Sequence, residues 1–320
     1  MKKLISQICF TLTALTSAAT CFAQAFPVKP IHIISPFLAG GPNDVFARVI
    51  AQKLADRIGQ SVVVENKPGA DGRIGARLVA QAAPDGYTLL MLSLGHTAQV
   101  SMYKLPYEVK SFAPISRVVS IPLVFVVGSK SKANTLEEFI AMAKQQPGAL
   151  NFASGGNGTS QHLAMEMLMN ATKIKMQHIA YKGMGPALTD LMSGQIDALV
   201  SPTASAAPFI QSGQMKALAV TTEGRYSPLP NIPTVAELGY PSYRVDTWHG
   251  LVAPAGTPSS VTELLNKHVR DILNLPDVKE KFLQLGATTA GTTPEQFSSI
   301  IGNEIERWRI VVDEAQIKIE

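Results

Sequence analysis

Two glycine-rich turns, each set between an apolar run and a helical pattern, constrain the fold of this chain more than any other feature. Ile31 to Ile34 leads into Ser35-Pro36-Phe37-Leu38-Ala39-Gly40-Gly41-Pro42-Asn43-Asp44. Leu150-Asn151-Phe152 leads into Ala153-Ser154-Gly155-Gly156-Asn157-Gly158-Thr159-Ser160-Gln161-His162. A helix start carries unpaired N–H groups and about half a positive charge, so it receives an anion without a cationic side chain. Glycine lets the backbone approach closely and adopt the positive φ angles that aim successive N–H groups inward. Neither turn contains Lys or Arg. Facing each other across a cleft, they would clamp a small carboxylate from both sides.

The segments around the turns alternate between strand and helix patterns. Ile31 to Ile34 reads as a buried strand, and 44–58 as a helix with Phe46, Val49, Ile50 and Leu54 at helical spacing. Further strands are predicted at 61–64, 87–92, 121–127, 150–153, 177–181, 196–201, 215–221 and 248–253. Helices are predicted at 73–83, 159–171 and 185–193, and after Thr135, which with Glu138 spells a capping box. Three closing helices are expected at 259–273, 277–285 and 294–314, the last with Phe297, Ile300, Ile301, Ile305 and Trp308 on one face. Such alternation gives an α/β fold of mainly parallel sheets flanked by helices.

Met1-Lys2-Lys3, an uncharged stretch up to Lys29 and the small-x-small Ala23-Gln24-Ala25 read as a cleaved export signal over residues 1–25. Both cysteines, Cys9 and Cys21, lie inside it, so an exported chain would lack disulfides, thiolate metal sites and cysteine nucleophiles. The formal charge of +4 falls by two with Lys2 and Lys3. That mild excess, without a Lys/Arg stripe, suits an anionic small molecule and argues against nucleic acid.

Open α/β sheets bind ligands beyond the carboxyl ends of their strands. Besides the two turns, Ser93-Leu94-Gly95-His96-Thr97 and Tyr181-Lys182-Gly183-Met184-Gly185 sit at such ends. Asp44 is read either as a partner for a ligand ammonium or as a group that neutralises its own helix start or caps a neighbouring N–H. His96 and His162 are read either as donors to an anion or as partly buried hydrogen-bonding groups. Thr159 is the expected N-cap of its helix, Lys182 a loop charge with a possible steering role, and Trp248 a packing residue beside His249. Enzyme signatures fail throughout: no G-x-S-x-G elbow, no H-E-x-x-H, no third glycine after Gly156-x-Gly158, and no P-loop Gly-Lys. Binding without chemistry is the favoured reading.

The chain resembles the extracytoplasmic solute receptors of the tripartite tricarboxylate transporter family, the TctC-like or Bug receptors, over essentially all of its length after the signal. The resemblance rests on Pro36-Phe37-x-x-Gly40-Gly41-x-x-Asp44-x-x-Ala47-Arg48, Glu65-Asn66-Lys67-Pro68-Gly69-Ala70-x-Gly72 and Pro84-Asp85-Gly86-Tyr87-Thr88-Leu89. It continues in Ser154-Gly155-x-x-Gly158-Thr159-x-x-His162-Leu163, Tyr181-Lys182-Gly183-x-x-Pro186-Ala187 and Leu229-Pro230-x-Ile232-Pro233-Thr234-x-x-Glu237. Trp248-x-Gly250-Leu251-x-Ala253-Pro254-x-Gly256-Thr257-Pro258 completes the series.

The resemblance implies a two-lobed, Venus-flytrap periplasmic receptor that closes on a small carboxylate-bearing solute. It also implies delivery to a membrane permease of one large and one small subunit. The lobes are expected at 26–123 plus 247–320 and at 124–246, with crossovers near Pro122 and Asp246. The expected contacts are Phe37, Gly41, Pro42, Asn43 and Asp44 on one lobe and Ser154, Gly158, Thr159, Ser160 and His162 on the other, flanked by His96, Thr97 and Gly183. A monomer with no cofactor, no metal and no catalytic residue is expected. Rival readings are a ligand-sensing exported receptor, and an exported carboxylate-processing enzyme with a site at His96 or His162.

Overall fold

The computed structural model describes residues 26–181 and 183–314. The signal read over residues 1–25 and the loop charge Lys182 lie outside these described residues. The first half of the sheet begins with the β1 strand Ile31–Ser35, whose every second side chain meets the helix α1, Pro42–Ile58. Strand β2 (Val62–Asn66), helix α2 (Arg73–Ala80) and strand β3 (Thr88–Ser93) follow. β1 pairs in parallel with both β2 and β3, as expected for strands joined by helical crossovers.

Three elements depart from the sequence reading. Gly95–Met102 is a helix, α3, rather than a loop beyond the β3 strand end. The strand expected at 121–127 is β4, Phe112–Gly128, and starts nine residues earlier; Pro114 and Arg117 interrupt its apolar pattern and sit at register shifts. A further helix, Thr203–Gln211, lies where none was expected, because Pro208 and its short apolar run carry little helical periodicity.

The second half follows with helix α4 (Leu136–Gln145), strand β5 (Asn151–Ser154), helix α5 (Ser160–Thr172), strand β6 (Gln177–Ala180) and helix α6 (Met184–Ser193). Strand β7 (Ala198–Pro202), helix α7 (the Thr203–Gln211 segment) and strand β8 (Met215–Val220) complete it. Thr135 caps α4, accepting from Glu138 N–H at 3.2 Å, while Glu138 Oε2 reaches back to Asn134 N–H at 2.7 Å. The chain then returns through β9 (Asp246–Pro254), helices α8 (Ser259–Leu273) and α9 (Pro276–Gln284), the short β10 (Thr288–Thr289) and helix α10 (Pro294–Glu314).

Strand β4 is the spine of the molecule. Its first part pairs antiparallel with β9 from Phe112↔Pro254 to Pro122↔Asp246, and its second part pairs with β7 and β8 from Leu123 onward. Strand order runs β2-β1-β3-β9-β4-β7-β5-β6, so one strand joins two parallel halves. Buried Thr221 fastens the crossing: its N–H donates to Leu123 O at 3.0 Å, and Val245 N–H donates to Thr221 O at 2.8 Å. Arg117 and Ser120 both donate to Asp246 at the same level.

Two apolar clusters lie within the halves, and a third, with Ile34, Leu92, Phe125, Phe152 and Trp308, spans both. Ile31, Ile33, Phe46, Ile50 and Leu54 pack with Leu265, Val269 and Phe282, whereas Val124, Val126, Leu191, Leu199 and Val220 pack beneath α6 and α7. Helix α10 packs on α3, β4 and α5, with Phe297 and Trp308 fully buried. Phe297 presses so closely on β9 that a Cβ on Gly250 would lie 2.2 Å from its Cζ, so the strand needs glycine there.

Candidate functional site

The first glycine turn is held by a charged and an uncharged network. Burial opposes ionisation of Asp44, but bonds from Arg48 at 2.9 Å, Gly40 N–H at 2.9 Å and Asn66 at 2.9 Å hold its carboxyl below the usual range. Asn66 also donates to Phe37 O at 3.1 Å, tying β2 to the turn. Buried Asn43 accepts from Ser35 Oγ at 3.0 Å and donates through Nδ2 to Met91 O at 2.9 Å. That donation fixes the amide orientation, so the contact at 3.2 Å from Asn43 Nδ2 to His249 Nδ1 makes Nδ1 the acceptor. Burial keeps His249 neutral, its pKa pushed down to about 3 by desolvation and then by His96. Its Nε2 therefore carries the hydrogen.

The second turn is held by hydroxyls and histidine rings, with Glu166 Oε1 3.5 Å from His162 Nε2. Thr159 caps α5 by accepting from His162 N–H at 3.4 Å and donates to Gly156 O at 2.8 Å. Gly156 N–H donates to Ser154 Oγ at 3.1 Å, and Gly158 N–H donates to His162 Nδ1 at 3.1 Å. Behind the loop, the His162 and His178 rings stack at 3.9 Å between centroids and 10°, with Phe152 stacked on His178 at 4.8 Å. Ser154 Oγ lies 2.7 Å from His178 Nε2. Desolvation, then the neighbouring His162, pushes His178 down to about 4.

These arrangements leave both helix starts open. Among the described residues, the N–H groups of Asn43 and Asp44 on α1, and of Ser160 and Gln161 on α5, have no hydrogen-bond partner. One cavity of about 980 Å³ is lined by both starts. Of the sequence-predicted residues, it brings together Phe37, Gly41, Pro42, Asn43, Gly158, Thr159, Ser160 and Gly183.

Five others stand behind this wall. The Asp44 carboxylate is turned into its own network, and Ser154 and His162 brace the second turn. Thr97 Oγ1 donates to Leu94 O at 2.6 Å. His96, fully buried and pushed down to about 4 by desolvation, packs against Phe37 and Gly72. Gly72 has φ +90°, and a Cβ there would sit 3.0 Å from His96 Nε2, so position 72 needs glycine for both conformation and space.

The cavity also takes walls from residues that the sequence reading passed over. The 69–72 loop contributes Asp71, α3 contributes Gln99 and Met102, and Tyr103 follows. Ile121, Thr247 and His249 come from the crossing strands, and Leu285 from the segment after α9. Only the glycine at 72 and the polar residues beside Trp248 left any local signal; the apolar wall is assembled from distant segments. Among the described lining residues there is no Lys or Arg, and no cluster of His, Cys, Asp or Glu among the described residues is suited to hold a metal ion. No described helix is long and apolar enough to cross a membrane.

Residues 46–317 match the family model of the tripartite tricarboxylate transporter family receptor, TctC. The chain is 38% identical to protein BugT of Bordetella pertussis over 324 residues, covering 100% of this chain and 99% of BugT. The structure of the periplasmic binding protein BugD is similar at 35% identity and a TM-score of 0.76, covering 92% of this chain and 100% of BugD. MatC from Rhodopseudomonas palustris, with bound malate, is similar at 33% identity and a TM-score of 0.75, covering 90% of this chain and 100% of MatC.

Proposed function

The chain belongs to the tripartite tricarboxylate transporter receptor family, and we propose that it captures a small carboxylate in this cavity and delivers it to a permease of one large and one small membrane subunit. The family consists of two-lobed periplasmic binding proteins that take up small solutes for membrane permeases. The carboxylate reading rests on one observation: two helix starts from opposite halves of the sheet open into the same space, with free N–H groups and no Lys or Arg among the described lining residues. Malate in MatC supports the same ligand class.

Charge-assisted hydrogen bonds contribute roughly 1.5–3 kcal/mol each. Three or four, less the losses of association and closure, give about micromolar binding, near −8 kcal/mol. The lobes in this proposal are 26–123 plus 247–320 and 124–246, and the permease reads their closure about the β4–β9 crossing. Residues 1–25 direct export and are removed, and the receptor works as a monomer without catalysis. The buried histidines behind the turns are structural rather than acid–base groups, since both His96 and His178 are held neutral.

A thermal-shift screen of the purified protein against carboxylates tests this. A ligand at 100 times its dissociation constant adds about 2.7 kcal/mol, or several degrees for a chain of this size. A broad acid panel without any shift, or turnover of a bound acid, would refute the reading.

A further inference from the structure

Most of the exposed lining of the cavity is apolar, with Gln99, Asn157, Ser205 and Thr247 among its polar members, and this bears on which carboxylates fit. Phe37 and Leu38 of the first turn line the cavity together with Met102, Tyr103, Ile121 and Leu285. Leu38 is 73% exposed, the largest value among the exposed large hydrophobic residues, and it sits at this cavity rather than on a random outer face. Small-molecule clefts are lined mainly by apolar and aromatic side chains. The ionised side chain among the described lining residues is Asp71, which repels a second or third carboxylate. His249 is neutral and offers one N–H. A compact polyanion would thus lose the hydration of two or three charges and meet hydrocarbon.

We propose that the solute of this receptor is a carboxylate carrying a bulky apolar body, aromatic or long aliphatic, with the carboxylate at the paired helix starts and the body against Leu38, Phe37 and Met102. This rests on the carboxylate reading above and narrows it.

The test is calorimetric titration of the full purified protein with 4-phenylbutyrate, malate and citrate, together with the variant Leu38→Ser. Leu38 is exposed, so its replacement leaves the fold intact. The expected result is that 4-phenylbutyrate binds at least about tenfold more tightly than malate or citrate, with a negative heat-capacity change. Leu38→Ser should weaken 4-phenylbutyrate about tenfold, the loss expected for one buried Leu side chain, and leave weak malate binding unchanged. Malate or citrate binding as tightly as 4-phenylbutyrate, or a Leu38→Ser variant of unaltered affinity, overturns the apolar-body inference while the carboxylate reading stands. No binding by any of the three, with none in the wider acid panel, overturns both.

Discussion

The two glycine turns present the same backbone solution on different supports. The first is braced by an ionised pair, Asp44 with Arg48, and by the Asn43 amide linking Ser35, Met91 and His249. The second is braced by hydroxyls and a ring stack of Phe152, His178 and His162. Helix α1 begins at Gly41 with no side-chain cap, whereas α5 has Thr159. In both turns the first N–H groups of the helix are left free, while the chemistry that holds the loop behind them differs.

Acid should expose what the turns share. His96 and His178 are pushed down to about 4 and His249 to about 3, all below an unfolded value of 6.5. Between these values the unfolded chain binds protons that the folded chain does not, so stability rises with pH there. Acidification from pH 6.5 towards 4 should cost several kcal/mol in all, measured by urea unfolding at a series of pH values. Asp44 adds a loss only further down, as pH falls through its depressed pKa. A flat profile across that range would show that the histidines are not held neutral.

Asn43→Leu should separate the turns most clearly by mutation. It strands Ser35 Oγ, Met91 O and His249 Nδ1 together, and should cost about 3 kcal/mol, from one or two unsatisfied buried groups at 1–3 kcal/mol each. Asp44→Asn keeps the shape but loses the charge opposite Arg48, which is half exposed and so discounted. About 1–2 kcal/mol is expected in thermal or urea unfolding, with the acid limb below pH 4 flattened.

On the second turn, His178→Phe preserves stacking and removes the contact with Ser154 Oγ. It should cost about 1 kcal/mol and reduce the pH 4–6.5 slope by the share of His178, leaving the shares of His96 and His249 and the Asp44 limb in place. Thr159→Ala should have the smallest effect, about 1 kcal/mol or less for a lost N-cap. Its mark should be faster amide exchange in the first turn of α5, with none in α1. Equal protection changes in both helices would break the view that the turns are held independently.

Most of the frame was legible in the residues. The helix at 294–314 and the strands flanking both turns followed from apolar spacing, because a repeating one-sided pattern is a local property. The first part of β4 was not, since Pro114 and Arg117 break its pattern and its pairing with β9 is what holds it extended. In the candidate site the glycine turns were legible, and hydrogen-bonding roles for Asp44 and His162 stood as one of two readings for each; the choice between them and the place of Ser154 behind the wall were not. Side-chain direction depends on partners such as Arg48 and Asn66 or the ring of His178, and spacing along the chain carries no record of them.

By itself, the sequence determined that two helices begin at unprotected glycine turns after strands, and that no lysine or arginine sits within those turns. Only the tertiary structure decided that both helix starts open into one cavity, and that Leu38, Met102, Ile121 and Leu285 line it. The reason is physical: a helix start is made by neighbours a few residues apart, whereas a cavity wall is made by strands and helices brought together through β4, which joins the two halves.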